Sequence, residues 1–212
     1  MVCLSVAGAP QPTFGAPRRL APVEREAASP WRFEALTGLI SELTAEGASA
    51  TVTVAMRLVV EAQRAGEPAA WVTERGRCFF PPDAAANGVD LAALAVVRVP
   101  QAPDLGRAAD YLVRSGAFGL VVLDLGEDGR LPDRQLTRLL GLARRHETAI
   151  VCLTRKPDHA PSLGATVSLR APVHRRRVRP GVFACELEAL QDKRRPAGWR
   201  HREECQAPAG LR

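Results

Sequence analysis

The sequence predicts an α/β domain in which a mainly parallel sheet lies between helices and is extended by antiparallel strands near the C-terminus. Short apolar runs alternate with amphipathic segments of helical period between residues 31 and 154, which favours a parallel sheet. The run Leu120–Leu123 is apolar throughout, as in a parallel strand that is covered on both faces. After Thr154, apolar and polar residues alternate, which is typical of antiparallel strands.

Length and composition favour one folded domain. The chain has 212 residues, of which 46% are hydrophobic, and this is enough for one core. Residues 1–30 are rich in proline and alanine and are predicted to form a flexible arm, which leaves residues 31–212 as the core domain. No apolar run is long enough to span a membrane, and the apolar start lacks the features of a signal sequence.

Cysteine usage indicates the redox compartment of the protein, and its net charge indicates the classes of partner that it can bind. The five cysteines (3, 78, 152, 185 and 205) contain no C-x-x-C pair, which favours reduced thiols in a cytoplasmic protein. The four histidines lack metal-ligand spacing, so no metal is expected. The net charge of +6 permits an acidic or nucleic-acid partner.

The first predicted elements follow Trp31. In chain order they are a strand at Leu39–Leu43, a helix at Val52–Ala65, a strand at Ala69–Thr73, a helical turn from Phe79 to Ala86, and a strand at Leu94–Val99. The helix is predicted to bury a face that contains Val52, Met56, Val59 and Val60.

The remaining elements continue the alternation. In chain order they are a helix from Asp104 to Arg114, the strand Leu120–Leu123, a helix from Pro132 to His146, a strand at Ala149–Leu153, and three alternating strands at Thr166–Arg170, Val182–Ala189 and Arg200–Cys205. Asp104 is predicted to cap its helix.

Several stretches resemble the core of the RecA recombinases. They are Ile40–Leu43, Gly88–Asp90 and Ser115–Asp124, and their order and spacing match as well. Farther along, Cys185–Leu187 and Asp192–Trp199 are similar to ImuA proteins, which are RecA paralogues encoded with error-prone polymerase components. The resemblance covers nearly all of the chain after the arm and implies a RecA-like three-layer sandwich.

The resemblance also implies a function. It implies a non-catalytic adaptor in DNA damage tolerance (translesion synthesis and SOS mutagenesis) whose partners are an ImuB-like protein and an error-prone DNA polymerase. Because the recombinase assembles through faces of this same core, RecA is a further expected partner. The alternatives are a cell-division inhibitor like SulA, which binds FtsZ, and an ATP-dependent recombinase.

The loop after the first strand bears on nucleotide binding. A working phosphate loop has the form G-x-x-x-x-G-K-[ST], in which the glycines admit phosphate, the lysine neutralises it and the hydroxyl holds magnesium. Alignment on the resemblance places the glycines at Ala45 and Ala50, the lysine at Thr51 and the hydroxyl at Val52. We therefore expect a degenerate ATPase core with no catalytic residues and no cofactor.

Other nucleotide-handling positions are altered too. Asp124 is a residual acid at the position of the family's magnesium-linked aspartate, where it is expected to cap the next turn. Arg75 falls at the position of the catalytic glutamate, and Thr154-Arg155 replaces an Asn-Gln nucleotide sensor. The segment 156–163 is far shorter than the family's second DNA-binding loop.

A competing interpretation is a serine hydrolase. Gly47–Ala50 resembles a nucleophile elbow, and the order Ser49, Asp124, then His159 or His174 fits a catalytic triad. The elbow lacks its second glycine, which argues against this interpretation.

Two basic clusters are candidate contacts for a protein partner or for weak DNA binding. One consists of Arg175, Arg176, Arg177 and Arg179, and the other of Lys193, Arg194 and Arg195. Apart from Trp199 no aromatic side chain is interleaved with them, so base stacking is poorly supported. A solvated basic hairpin is the alternative for the first cluster.

Overall fold

A computed structural model describes residues 29–47, 50–77, 79–127 and 130–206. Nearly all of the predicted arm, residues 1–28, lies outside these described residues. The helices are α1 (Phe33–Leu36), α2 (Thr51–Arg64), α3 (Pro81–Ala86), α4 (Leu105–Ser115) and α5 (Asp133–His146). The strands are β1 (Ile40–Thr44), β2 (Ala69–Glu74), β3 (Leu94–Val99), β4 (Leu120–Gly126), β5 (Ala149–Thr154), β6 (Leu169–Arg179), β7 (Val182–Glu188), β8 (Gln191–Asp192) and β9 (Arg200–Gln206).

The strands form a single mixed sheet in the order β3-β2-β4-β5-β1-β6-β7-β9, with β8 paired to β6. The pairs from β3 through β1 to the start of β6 are parallel. The pairs β6–β7, β6–β8 and β7–β9 are antiparallel. The predicted parallel sheet with antiparallel strands at its C-terminal side is therefore confirmed.

One face of the sheet is covered by α2. Buried side chains of this helix, among them Val54, Leu58 and Val59, form one apolar cluster with Trp71, Val122 and other residues of the sheet. Met56, Val59 and Val60 are buried as predicted, but the prediction for Val52 was wrong, because it is 42% exposed. Its place in the first turn leaves it outside the stripe that faces the sheet.

The opposite face is covered by α4 and α5. Leu105, Ala109 and Val113 of α4 pack in a second apolar cluster with Leu136 and Leu139 of α5. The predicted cap at Asp104 was wrong, because its side chain accepts no capping hydrogen bond. A 3₁₀ turn at Ala102–Asp104 runs directly into the helix instead.

Strand β6 differs most from its prediction. The alternating pattern predicted an antiparallel strand that ends at Arg170, whereas β6 continues to Arg179. Its first residues pair in parallel with β1, and the last of these pairs joins Pro172 to Thr44. The strand then forms an antiparallel hairpin with β7. Proline has no N–H to extend a ladder, which accounts for a change of partner that periodicity alone does not reveal.

Candidate functional site

The loop between β1 and α2 lies at the carboxyl ends of the parallel strands, where α/β sheets place ligands. Ala45, Ala50 and Thr51 are buried, and Val52 is exposed. The backbone N–H of Ala45 donates to the carbonyl of Thr154 at 3.3 Å. Ala45 is therefore held against β5, whereas Thr51 and Val52 belong to the first turn of α2, which begins after Ala50. Residues 48 and 49, and with them the serine of the hydrolase interpretation, lie outside the described residues.

Asp124, the residual acid of this site, accepts a hydrogen bond from the neighbouring strand. Asp124 of β4 lies opposite Thr73 of β2 in the parallel register, and the Thr73 hydroxyl donates to Asp124 Oδ2 at 3.2 Å. The acid predicted to cap the next turn therefore contacts an adjacent strand end.

An arginine covers the end of β4. Gly126 has a φ of +66°, and a Cβ added there would lie 1.8–2.1 Å from the Arg77 guanidinium. Only a residue without a side chain permits this approach. Arg77 Nε also lies 3.7 Å from Glu74 Oε2. A guanidinium thus lies beside the strand end that carries Asp124.

Further arginines surround this point. Arg75 and Arg98 join Arg77, Gly76 and Phe79 in lining an open cavity of about 620 Å³. Arg155 at the end of β5 lies 3.6 Å from Glu127, and its backbone N–H donates to the Gly126 carbonyl at 2.9 Å. Four arginines therefore lie at the carboxyl ends of β2, β3 and β5, and one of them, Arg77, also lies beside the end of β4.

Glu42 is the most unusual group near these strand ends. It lies in the middle of β1 and is fully buried. Its Oε1 accepts a hydrogen bond from the Thr154 hydroxyl at 3.0 Å and lies 2.6 Å from Lys156 Nζ. Its Oε2 lies 3.8 Å from Arg170 Nε. Buried charges persist in proteins where they are paired and hydrogen-bonded in this way.

Glu42 also fixes the short segment after β5. The Ser162 hydroxyl and the Leu163 backbone N–H each donate to Glu42 Oε2 at 3.0 Å. Arg170 donates from Nη2 to the Pro157 carbonyl at 3.3 Å. The short segment after β5 is therefore held against the sheet. We call Glu42, Thr154, Lys156, Ser162, Leu163 and Arg170 the Glu42 cluster.

Sequence analysis did not single out Glu42 or Arg77. A carboxylate inside an apolar strand was the available signal for Glu42, because such a group must find a partner when it is buried. Its cationic partners are more than a hundred residues away in sequence, so no local pattern identifies them. The position of Arg77 depends on a backbone approach that is visible only in three dimensions.

The first basic cluster lies on the predicted hairpin. Arg175 lies over the Phe183 ring at 4.9 Å. Arg176 pairs with Glu186 at 3.3 Å, and Arg179 pairs with Glu204 at 3.9 Å. Arg177 is exposed on the same strand. Carboxylates on the neighbouring strands thus compensate part of a run that looks purely basic in sequence.

The second basic cluster lies on a tight turn built around Asp192. This carboxylate accepts hydrogen bonds from the backbone N–H groups of Arg194 and Arg195, at 2.8 and 3.2 Å, and from Trp199 Nε1 at 2.9 Å. Lys193 donates from Nζ to the Ala165 carbonyl. All three basic side chains are exposed.

A partly buried ionic cluster lies between α2 and the hairpin strands. Arg57 Nε lies 3.8 Å from Glu203 Oε2, and burial raises the pKa of Glu203 to about 7. Beside it, the thiols of Cys185 and Cys205 lie 3.2 Å apart. The hydrogen bond from Cys185 and the nearby Arg57 guanidinium lower the pKa of Cys205.

The described residues offer neither a metal centre nor a membrane-spanning helix. Within them, no group of histidine, cysteine, aspartate and glutamate side chains has an arrangement that could hold a metal ion. None of the helices in these parts of the chain has the length and apolarity needed to cross a membrane.

The chain is similar to parts of several RecA proteins. RecA of Corynebacterium jeikeium is 38% identical over 87 residues, which cover 41% of this chain and 23% of that protein. RecA of Rubrobacter xylanophilus is 33% identical over 133 residues, covering 53% and 38%. RecA of Fusobacterium nucleatum is 26% identical over 137 residues, covering 56% and 36%. No protein-family model matches the chain.

The matches support a relationship to RecA proteins. Together with the parallel core strands, the flanking helices and the C-terminal antiparallel strands, they identify the architecture as a RecA-like α/β fold. The chain spans 23–38% of the length of the three RecA proteins described above.

Proposed function

We propose that this chain is a non-catalytic, RecA-related adaptor in DNA damage tolerance. The observation that carries the proposal is the composition of the phosphate-loop position. Ala45, Ala50, Thr51 and Val52 stand there without a lysine. The first three of these residues are buried, and the backbone N–H of Ala45 donates to Thr154 of β5. A core of this fold that lacks the residues needed to bind phosphate functions by binding partners on its surface.

Energetics support the loss of nucleotide binding. Hydrogen bonds to charged groups contribute about 1.5–3 kcal/mol each. Loss of the lysine and of the magnesium hydroxyl should therefore cost roughly 4 kcal/mol, about a thousandfold in affinity. The Arg77 guanidinium beside Gly126 adds bulk at the end of β4.

The proposed partners come from the resemblance to ImuA proteins. Cys185–Leu187 and Asp192–Trp199 carry it, and the second stretch forms the turn around Asp192. On this basis the chain binds an ImuB-like protein together with an error-prone DNA polymerase in the cytoplasm. The shared RecA-like core makes RecA a further partner in the proposal.

Nucleotide titration tests whether the chain has lost ATP binding. Isothermal titration of the purified chain with MgATP is expected to give no measurable heat of binding at millimolar nucleotide, while a RecA protein titrated in parallel gives a clear isotherm. Saturable binding accompanied by ATP hydrolysis would show that the chain is an enzyme.

The adaptor role is tested in cells. Deletion of the gene is expected to lower the frequency of damage-induced mutation, and the wild-type gene is expected to restore it. Affinity capture from damaged cells is expected to recover the ImuB-like protein. Unchanged mutagenesis together with failure to recover either the ImuB-like protein or RecA would contradict the proposal, and cell filamentation on overproduction would point to division inhibition instead.

A further inference from the structure

The helices α4 and α5 enclose a groove whose lining is dominated by arginine. Its volume is about 440 Å³, and its lining residues are Arg107, Asp110, Tyr111, Arg114, Arg134, Gln135 and Arg138. We call this the α4–α5 groove. From its charge, its aromatic side chain and its lack of aliphatic lining, we propose that it binds the phosphodiester backbone of a single-stranded nucleic acid, with one base stacked on Tyr111.

The charge of the groove is strongly positive. Four guanidinium groups face one carboxylate among the lining residues. That carboxylate, Asp110, contacts both Arg114 on its own helix and Arg138 on α5, so it neutralises one charge and links the two sides of the groove. Arg107 is 70% exposed in its side chain and lies 3.8 Å from Asp104. Guanidinium groups bind phosphate oxygens in bidentate geometry.

The aromatic side chain is placed for stacking. Tyr111 is 68% exposed, and it lies one helical turn from both Arg107 and Arg114 on α4. Proteins that bind single strands combine a basic groove with aromatic rings on which bases stack. The groove has both features, whereas the two basic clusters seen in the sequence have almost no interleaved aromatic residue.

One lining side chain is seated against α4. A Cβ added at Gly106 of α4 would lie 2.3 Å from the Gln135 side-chain oxygen of α5. The missing side chain at Gly106 thus leaves room for the Gln135 amide beside α4. This contact and the ion pairs of Asp110 with Arg114 and Arg138 connect the two helices, and such pre-organisation lowers the entropic cost of binding.

The lining also distinguishes between classes of partner. Interfaces with proteins have an apolar core surrounded by a polar rim. No lining residue of the α4–α5 groove is aliphatic, so a protein would find only the tyrosine ring as an apolar anchor. Phosphate contacts need no such core, which favours a nucleic acid.

Fluorescence anisotropy with a labelled oligothymidine and the purified chain tests the proposal. The variant Arg107→Gln/Arg134→Gln is expected to weaken binding and to reduce the slope of log affinity against log salt by about 0.7 for each phosphate that is no longer neutralised. The variant Arg200→Gln/Arg202→Gln on β9 removes the same charge from two exposed arginines outside the groove and outside both basic clusters; it is the matched control, expected to bind like the wild type. Thermal melting verifies that both variants are folded.

Tyr111 provides a second readout. Tyr111→Ala is expected to weaken binding at least about fivefold, while Tyr111→Phe retains the ring and the affinity. Inorganic pyrophosphate is expected to compete poorly at equal phosphate concentration. Equal loss of affinity in the groove variant and the β9 control variant, no binding by the wild type, or full competition by pyrophosphate would each overturn the proposal. The assay measures direct binding, so its outcome is independent of the adaptor role.

Discussion

Two regions of this molecule pair carboxylates with cations in opposite settings. In the Glu42 cluster, Glu42 is fully buried and lies 2.6 Å from Lys156 Nζ. On the outer face of the C-terminal strands, which we define by Arg176, Glu186, Glu188, Arg200 and Arg202, the pairs are exposed and lie 3.0–3.7 Å apart. The two regions use the same kinds of charge, but burial makes their energetics different.

The difference follows from solvation. Water screens an exposed ion pair and competes for its hydrogen bonds, so such pairs contribute about 0–1 kcal/mol. A buried charge that loses its partner has no water to replace it. The outer face can therefore change with little effect on the fold, whereas the Glu42 cluster is sensitive to a single substitution.

The largest expected effect is at Glu42. Glu42→Gln should lower the free energy of unfolding by about 3–5 kcal/mol, because Arg170 keeps its charge in a buried place and Lys156 in a partly buried one, both without this counter-charge. Urea unfolding monitored by circular dichroism measures the change. Glu186→Gln on the outer face removes the same charge and is the matched control, expected to change stability by less than about 1 kcal/mol.

A double variant sharpens this result. Glu42→Gln combined with Lys156→Met removes one cation along with the carboxylate and should recover part of the lost stability. If Glu42→Gln and Glu186→Gln were equally mild, the Glu42 cluster would be less important to the fold than its burial suggests.

The sequence predicted the layers of the fold better than its charged sites. Apolar periodicity is local, so α2, α4, α5 and the parallel strands were predicted to within a few residues at each end. The partners of a charge are set by tertiary packing. Glu42 meets Lys156 and Arg170 only because β1 lies between β5 and β6.

The basic side chains show the same limit. Arg175–Arg177 were predicted as candidate contacts because basic residues are dense in this part of the sequence. Glu186 and Glu204 on neighbouring strands compensate part of the positive charge of this cluster. The four arginines of the α4–α5 groove are spread from position 107 to position 138. Density along the chain was therefore a poor guide to density in space.

The next largest effect is expected at Glu203, which is intermediate in exposure. Its side chain is 18% exposed, and burial raises its pKa from 4.5 to about 7. Between pH 4.5 and about pH 7, the Glu203 carboxyl is deprotonated in the unfolded chain but still protonated in the folded chain. Stability is therefore lost as the pH rises through this window, on the order of 3 kcal/mol in total.

Comparison with Glu203→Gln isolates this contribution. Burial lowers the pKa of His201. The stability that His201 contributes is therefore lost as the pH falls, which is opposite in sign to the contribution of Glu203. Since His201 and Cys205 are both present in the variant, the difference between the two unfolding curves measured from pH 4 to pH 8 reports on Glu203 and its interaction with Cys205. A difference that is independent of pH would show that the carboxyl titrates normally.

The smallest effect is expected for the exposed pair of Arg176 and Glu186. A double-mutant cycle with Arg176→Gln and Glu186→Gln should give a coupling energy of about 0.2–1 kcal/mol. This coupling should shrink further in high salt, because ions screen exposed charges. Urea unfolding of the four proteins at low and high salt measures it. Arg202 also lies near Glu186, at 3.7 Å, so the carboxylate keeps one cation when Arg176 is replaced. A coupling as large as the cost of Glu42→Gln would mean that burial does not separate the two regions.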